Sequence, residues 1–105
     1  MTTKDRRVKV SQMLHSVLGS NNVYFDPPES VKMKYPAIVY KRAKTNTISA
    51  DNKKFIYYDR YEVTFIRKDA DNDVVDAILE FPYCEHNSQY KASDLYHDVF
   101  TLYIQ

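Results

Sequence analysis

Between Phe55 and Phe65 the sequence alternates so regularly that a half-buried strand is the natural way to accommodate it. The odd positions Phe55, Tyr57, Asp59, Tyr61, Val63 and Phe65 are apolar or aromatic except for Asp59, while of the even positions Ile56, Tyr58, Arg60, Glu62 and Thr64 the middle ones are polar. Arg67 to Asp73 follows, with no apolar residue larger than alanine. Val74, Val75, Ile78 and Leu79 then share one helical face. Asp73 is the expected cap of that helix, its acidic neighbours favouring the positive end of the helix dipole. This strand, turn and helix form the centre around which the remaining elements are arranged.

Ahead of it, Val10, Leu14, Val17 and Leu18 make an apolar stripe on a helix over Lys4–Leu18, with Thr3 as expected cap and Gly19 as stop. Val23-Tyr24-Phe25 reads as a short strand, and Pro27-Pro28 as irregular chain. Tyr35-Pro36 forces an extended entry into a strand over Ala37–Lys41. The stretch Lys44-Thr45-Asn46-Thr47-Ile48-Ser49-Ala50-Asp51-Asn52-Lys53-Lys54 is polar, without sustained periodicity, and long for a hairpin turn. It reads as an extended arm between two strands. Pro82 is expected to end the second helix. A modest strand over Tyr83–Tyr90, a turn at Asp94 and a strong strand from Tyr96 to Ile104 close the chain. The fold class is α+β: a mostly antiparallel sheet of four to five strands with two helices on one face, in a single domain over residues 1–105.

Composition narrows function. One glycine excludes the glycine-rich phosphate loops, which need several for close backbone approach. A single cysteine, Cys84, permits no internal disulfide and suits a reducing compartment. No apolar run approaches the ~20 residues of a membrane span, and the first residues lack a signal core, so cytoplasmic synthesis and no membrane partner are expected. Ten tyrosines suit strands and interfaces.

Four constellations could carry chemistry. Asp69, Asp71, Asp73 and Glu80 match EF-hand spacing, but Val74 stands where the loop needs glycine, so helix capping is the stronger reading. Cys84, His86 and His97 meet if the last two strands pair, yet a fourth ligand is missing for zinc, and the remaining His15 is remote in sequence. A Cys–His nucleophile pair has no feature that would lower the thiol pKa. Lys32, Lys34, Lys41, Arg42, Lys44, Lys53 and Lys54 bracket Tyr35, Tyr40, Tyr57 and Tyr58, a pattern that single-stranded nucleic acid can use, although the net charge is only +1. Neither an enzyme nor a cofactor is expected.

Tyr35–Tyr40, Ala50–Asn52, Arg60–Ile66, Asp69–Asp71, Leu79–Cys84 and Asp94–Tyr103 resemble, in order and spacing, small proteins of the head-to-tail joining region of tailed bacteriophages. These are tail terminator or tail-completion proteins, also called minor capsid or head-tail connector proteins. The resemblance implies an α+β virion subunit at the tail-neck junction, forming a homo-oligomeric ring, commonly a hexamer, on the head-proximal end of the tail tube. It implies contacts with the tail tube protein and a head-completion or neck protein, and a lumen that passes genomic DNA without reading its sequence. No site motif accompanies the resemblance. The interface candidates come from patterning instead: the arm Lys44–Lys54 and the aromatics Tyr40, Tyr57 and Tyr58. The rival readings are a head-closure or connector protein of the neck and a small nucleic-acid-binding module.

Overall fold

The structure is a computed structural model that describes residues 2–49 and 55–105, with side chains described except for 47–49 and 55–57. Its elements run α1 (Thr3–Leu18), β1 (Val23–Phe25), β2 (Ala37–Ser49), β3 (Phe55–Arg67), α2 (Asp73–Leu79), β4 (Cys84–Ala92) and β5 (Leu95–Ile104). The five strands form one sheet in the order β1-β2-β3-β5-β4. Only β1 is parallel to its neighbour. The α+β class expected from periodicity is the class observed.

Alternation in the strands builds one core layer. Ile38 and Tyr40 of β2, Tyr61, Val63 and Phe65 of β3, and Phe100, Leu102 and Ile104 of β5 point to the same side, where Val10 and Leu14 of α1 and Ile78 of α2 close over them. Both helices therefore lie on one face, α1 over β1 and β2, α2 beside β4. Among the described residues no helix covers the other face, which presents Lys41, Glu62, Thr64, Val99 and Thr101 along adjacent strands.

Helix ends differ from expectation by one residue, for a local reason. The N-cap of α1 is Thr2, not Thr3: its hydroxyl accepts from Asp5 N at 3.1 Å, while its own N–H donates to Asp5 Oδ2 at 2.9 Å. This reciprocal box needs an acid three residues on, which Thr2 has and Thr3 lacks. Gly19 ends the helix at φ 75°, as a left-handed cap requires, with its N–H donating to His15 O. For α2 the cap is Asn72, not Asp73. Asn72 is extended, and its Oδ1 accepts from Val74 N at 2.9 Å, so Asp73 becomes the first helical residue. The helix stops at Leu79, three residues before Pro82. Ser93 and Asp94, at φ 51° and 61°, make the two-residue turn between β4 and β5, whose positive dihedrals match the twist of a tight hairpin.

The largest departure concerns the arm. Lys44 to Ser49 are not irregular chain but the second half of β2, paired with β3 from Lys44↔Arg60 to Ser49↔Phe55. Ala50 to Lys54 lie outside the described residues. The polar sequence hid this strand because it lacks the apolar alternation that reveals one, and its order shows in the ladder with β3. A bulge between Arg42 and Lys44 absorbs one extra residue.

Candidate functional site

Strand β5 stops short of the far end of β3. β5 pairs with β3 from Asp59 to Arg67, so among the described residues Phe55 to Tyr58 pair only with β2. A two-stranded ribbon thus extends past the core. The radius of gyration, 14.8 Å, exceeds the ~13 Å of a compact chain of this length, and the long dimension reaches 52 Å against 25 and 22 Å.

The ribbon is rooted in a buried ion cluster at the point where β5 stops. Asp59, fully buried on the inward face of β3, accepts from Arg6 Nε of α1 at 2.9 Å. Arg42 of β2 places its Nε 3.6 Å from the same oxygen, Asp59 Oδ2. Arg42 Nη2 donates to Tyr61 Oη at 3.2 Å and to the Thr3 carbonyl at 3.3 Å. Burial raises the Tyr61 hydroxyl pKa, which keeps this partner neutral. Asp59 Oδ1 and Arg42 Nε have no hydrogen-bond partner among the described residues, so the cluster is incompletely satisfied. Its carboxylate is fully buried, with Arg6 of α1 beside it. The cluster is a clamp joining the first turn of α1 to both strands of the ribbon.

A second cluster sits at the other end of β3. Asp98 of β5 accepts from Arg67 Nη1 and, at 2.7 Å, from His86 Nε2. Arg67 also donates to the Asp69 and Ala70 carbonyls, which shapes the acidic turn and fixes the entry to α2. A cavity of ≈ 360 Å³ opens beside it, lined by Arg67, Ala70, Asn72, Asp73, Asp76 and Gln89. A carboxylate orienting an imidazole is half of a general-base arrangement. No nucleophile hydrogen-bonds to His86 among the described residues.

The Cys84–His86–His97 grouping does not form. His86 faces the helical side with Asp98, whereas His97, one residue earlier on β5, stacks on Tyr90 at 4.5 Å on the opposite side. Partial burial pushes the Cys84 thiol up to about 11. At neutral pH it should therefore react with a disulfide reagent at least tenfold more slowly than a free cysteine. Labelling at the free-cysteine rate would contradict this burial.

The patterned interface aromatics separate. Tyr40, 4% exposed, belongs to the core and packs against Phe25 and Tyr61. It sits on the inward face of β2 with Ile38, so it is neither a docking aromatic nor a stacking platform for a nucleic-acid base. Tyr58 is half-buried near Tyr103, rings 6.0 Å apart, where the two-stranded ribbon begins. The Tyr57 side chain lies outside the described ones. Lys41 pairs loosely with Glu62 at 3.9 Å, and Arg42 is committed to the clamp.

One feature missed in the sequence emerges once the sheet order is known. α1 and β2 carry Lys4, Arg6, Arg7, Lys9, Lys41, Arg42 and Lys44 against Asp5, a net +6. Residues 68–94 carry Asp69, Asp71, Asp73, Asp76, Glu80, Glu85 and Asp94 against Lys68 and Lys91, a net −5. The remaining charges cancel. The small total of +1 therefore conceals a basic flank at the β1–β2 side of the sheet and an acidic flank at the β4 side. Counting charge by sequence block, instead of over the whole chain, is the signal that would have found it.

No family model matches the sequence, and no curated protein matches it.

Proposed function

We propose that this chain is a structural subunit of a tailed-bacteriophage virion, forming a ring on the head-proximal end of the tail tube that ends tube growth and joins tail to head. The observation that carries the reading is the projecting ribbon of β2 and β3, rooted in α1 by the Arg6–Asp59–Arg42 clamp. An isolated two-stranded ribbon is marginal in water, so one held out from a core by a buried clamp suits a contact arm that is completed on another subunit. The order and spacing of the segments that resemble tail-completion proteins support the same reading. Both ion clusters act within the fold, which favours a structural role over an enzymatic one.

The test is electron microscopy of the purified protein mixed with tail tubes of the same phage. Rings seated on one end of tubes of uniform length are expected. Binding to isolated heads or portal complexes, with bare tubes, would instead make this a head-closure protein. The ribbon has its own test. Replacing residues 47–57 by an Asn-Gly turn between the paired residues Asn46 and Tyr58 keeps the clamp. This variant should melt within a few degrees of the parent yet lose tube capping. Undiminished capping would show the ribbon to be an ordinary hairpin.

A further inference from the structure

The two long sides of the sheet are unlike each other, and both are open. β4 has only β5 as a neighbour, so its outer edge is unpaired along Cys84–Ala92 among the described residues. On the other side β1 covers β2 only at Ile38, Val39 and Tyr40, which leaves the outer edge of β2 from Lys41 onward unpaired among the described residues. Exposed edges of this kind invite another chain. Their directions are also compatible. β2, β3, β5 and β4 alternate in direction, so β2 and β4 run opposite ways. A second copy in the same orientation would therefore offer its β2 edge antiparallel to β4. Because β1 covers the start of β2, such a copy must sit displaced along the strand direction.

Charge selects the same pairing. The exposed cations Lys4, Lys9, Lys41 and Lys44 lie on the α1–β2 flank, while Asp73, Asp76, Glu80 and Glu85 lie exposed on the α2–β4 flank. At the corner of the acidic flank stands Tyr83. The residue is 80% exposed and its backbone is held at φ 57°, a left-handed conformation that tyrosine seldom adopts. Its carbonyl accepts from Tyr103 N at 3.1 Å, which ties that conformation to the sheet. Tyrosine is among the residues enriched at interface hot spots, and strained backbone conformations cluster at functional sites.

From these features we propose that copies of this chain associate head to tail, the basic flank of α1 and β2 docking on the acidic flank of α2 and β4 in the next copy, with Tyr83 as anchor. The proposal rests on the ring reading for its partner, a second copy, and supplies the contact that the ring reading lacks. Two different surfaces meeting in this way are what a heterologous, closable assembly requires. Opposite charges would steer and register the contact.

The experiment is sedimentation velocity on the full chain at low and high salt, with circular dichroism to confirm folding. The parent is expected to be oligomeric at low salt and to dissociate as salt rises. Lys41→Glu with Lys44→Glu should be monomeric, as should Glu80→Lys with Glu85→Lys. An equimolar mixture of the two variants should reassociate, because each offers the flank the other needs. Tyr83→Gly removes the anchor while accepting the positive φ without strain, so it should fold normally and associate at least tenfold more weakly.

A monomeric parent at low salt overturns the proposal. So does either charge variant that associates like the parent, a mixture that stays monomeric, or a Tyr83→Gly chain with unchanged affinity. If the lysine variant instead loses retention on single-stranded DNA with its oligomeric state unaltered, the basic flank serves nucleic acid and the proposal fails. Tail tubes separate this result from the terminator reading. A parent that oligomerises through these flanks but caps no tube refutes the terminator role alone, whereas capping by both charge variants refutes the proposed contact alone.

Discussion

Asp59→Ala should destabilise the domain by about 3–5 kcal/mol, because it leaves the buried Arg6 and the half-buried Arg42 without their shared counter-charge. Small domains have only about 5–15 kcal/mol in total, so urea unfolding at neutral pH should show a midpoint shifted far down, or a chain already partly unfolded. Removing Asp59 together with Arg6, the more buried of its two partners, should be milder, because Arg42 is partly open to solvent and keeps its bonds to Tyr61 and the Thr3 carbonyl. Asp59→Leu with Arg6→Met exchanges an incompletely satisfied ion pair for apolar packing, a change that is often neutral or favourable to stability. The double variant is therefore expected to recover most of the loss while the ribbon, no longer clamped by charge, becomes less protected from hydrogen exchange. A loss below about 1 kcal/mol for Asp59→Ala would mean that the cluster is not the root of the ribbon.

Asp98→Ala should cost a comparable amount, about 3–4 kcal/mol, for the same reason: Arg67, 2% exposed, loses its carboxylate. The two clusters predict different regional effects. Arg67 holds the Asp69 and Ala70 carbonyls, so hydrogen exchange should rise in the turn before α2 and not in α1. His86→Ala, which removes the partly exposed partner of the same carboxylate, should cost less than about 1 kcal/mol. Equal losses from His86→Ala and Asp98→Ala would overturn the assignment of Arg67 as the principal partner.

Much of this architecture could be read from residue order. The inward face of β3 was visible in Tyr61, Val63 and Phe65, and that of β5 in Phe100, Leu102 and Ile104, because burial on one side imposes a period of two. Asp59 was visible too, as a charge on a face that otherwise buries apolar groups. What could not be read was its partner, since Arg6 belongs to a helix whose placement depends on the whole sheet. The second half of β2 was hidden differently. Thr45 and Thr47 have high strand propensity, but a ribbon held by a single ladder lacks the apolar alternation that reveals a buried strand. Tyr40 shows the converse limit: a tyrosine followed directly by lysine and arginine looks like surface until the register of β2 turns it inward. The two flanks stayed concealed because strand order, which no local pattern encodes, decides which charges become neighbours.

The clamp also bears on how the chain acquires its structure. Arg6 and Asp59 are 53 residues apart, whereas the β4–β5 hairpin closes through two residues. Loop closure costs more over longer separations, and non-local contacts slow the search. The paired strands can therefore assemble before α1 is fixed. In chain order the apolar stripe of Val10 and Leu14 precedes every strand it packs against, so most of the surface it covers arrives only with β2 and β3. The contact that fixes α1 to the sheet is thus supplied by a residue 53 positions later, after both strands of the ribbon have begun.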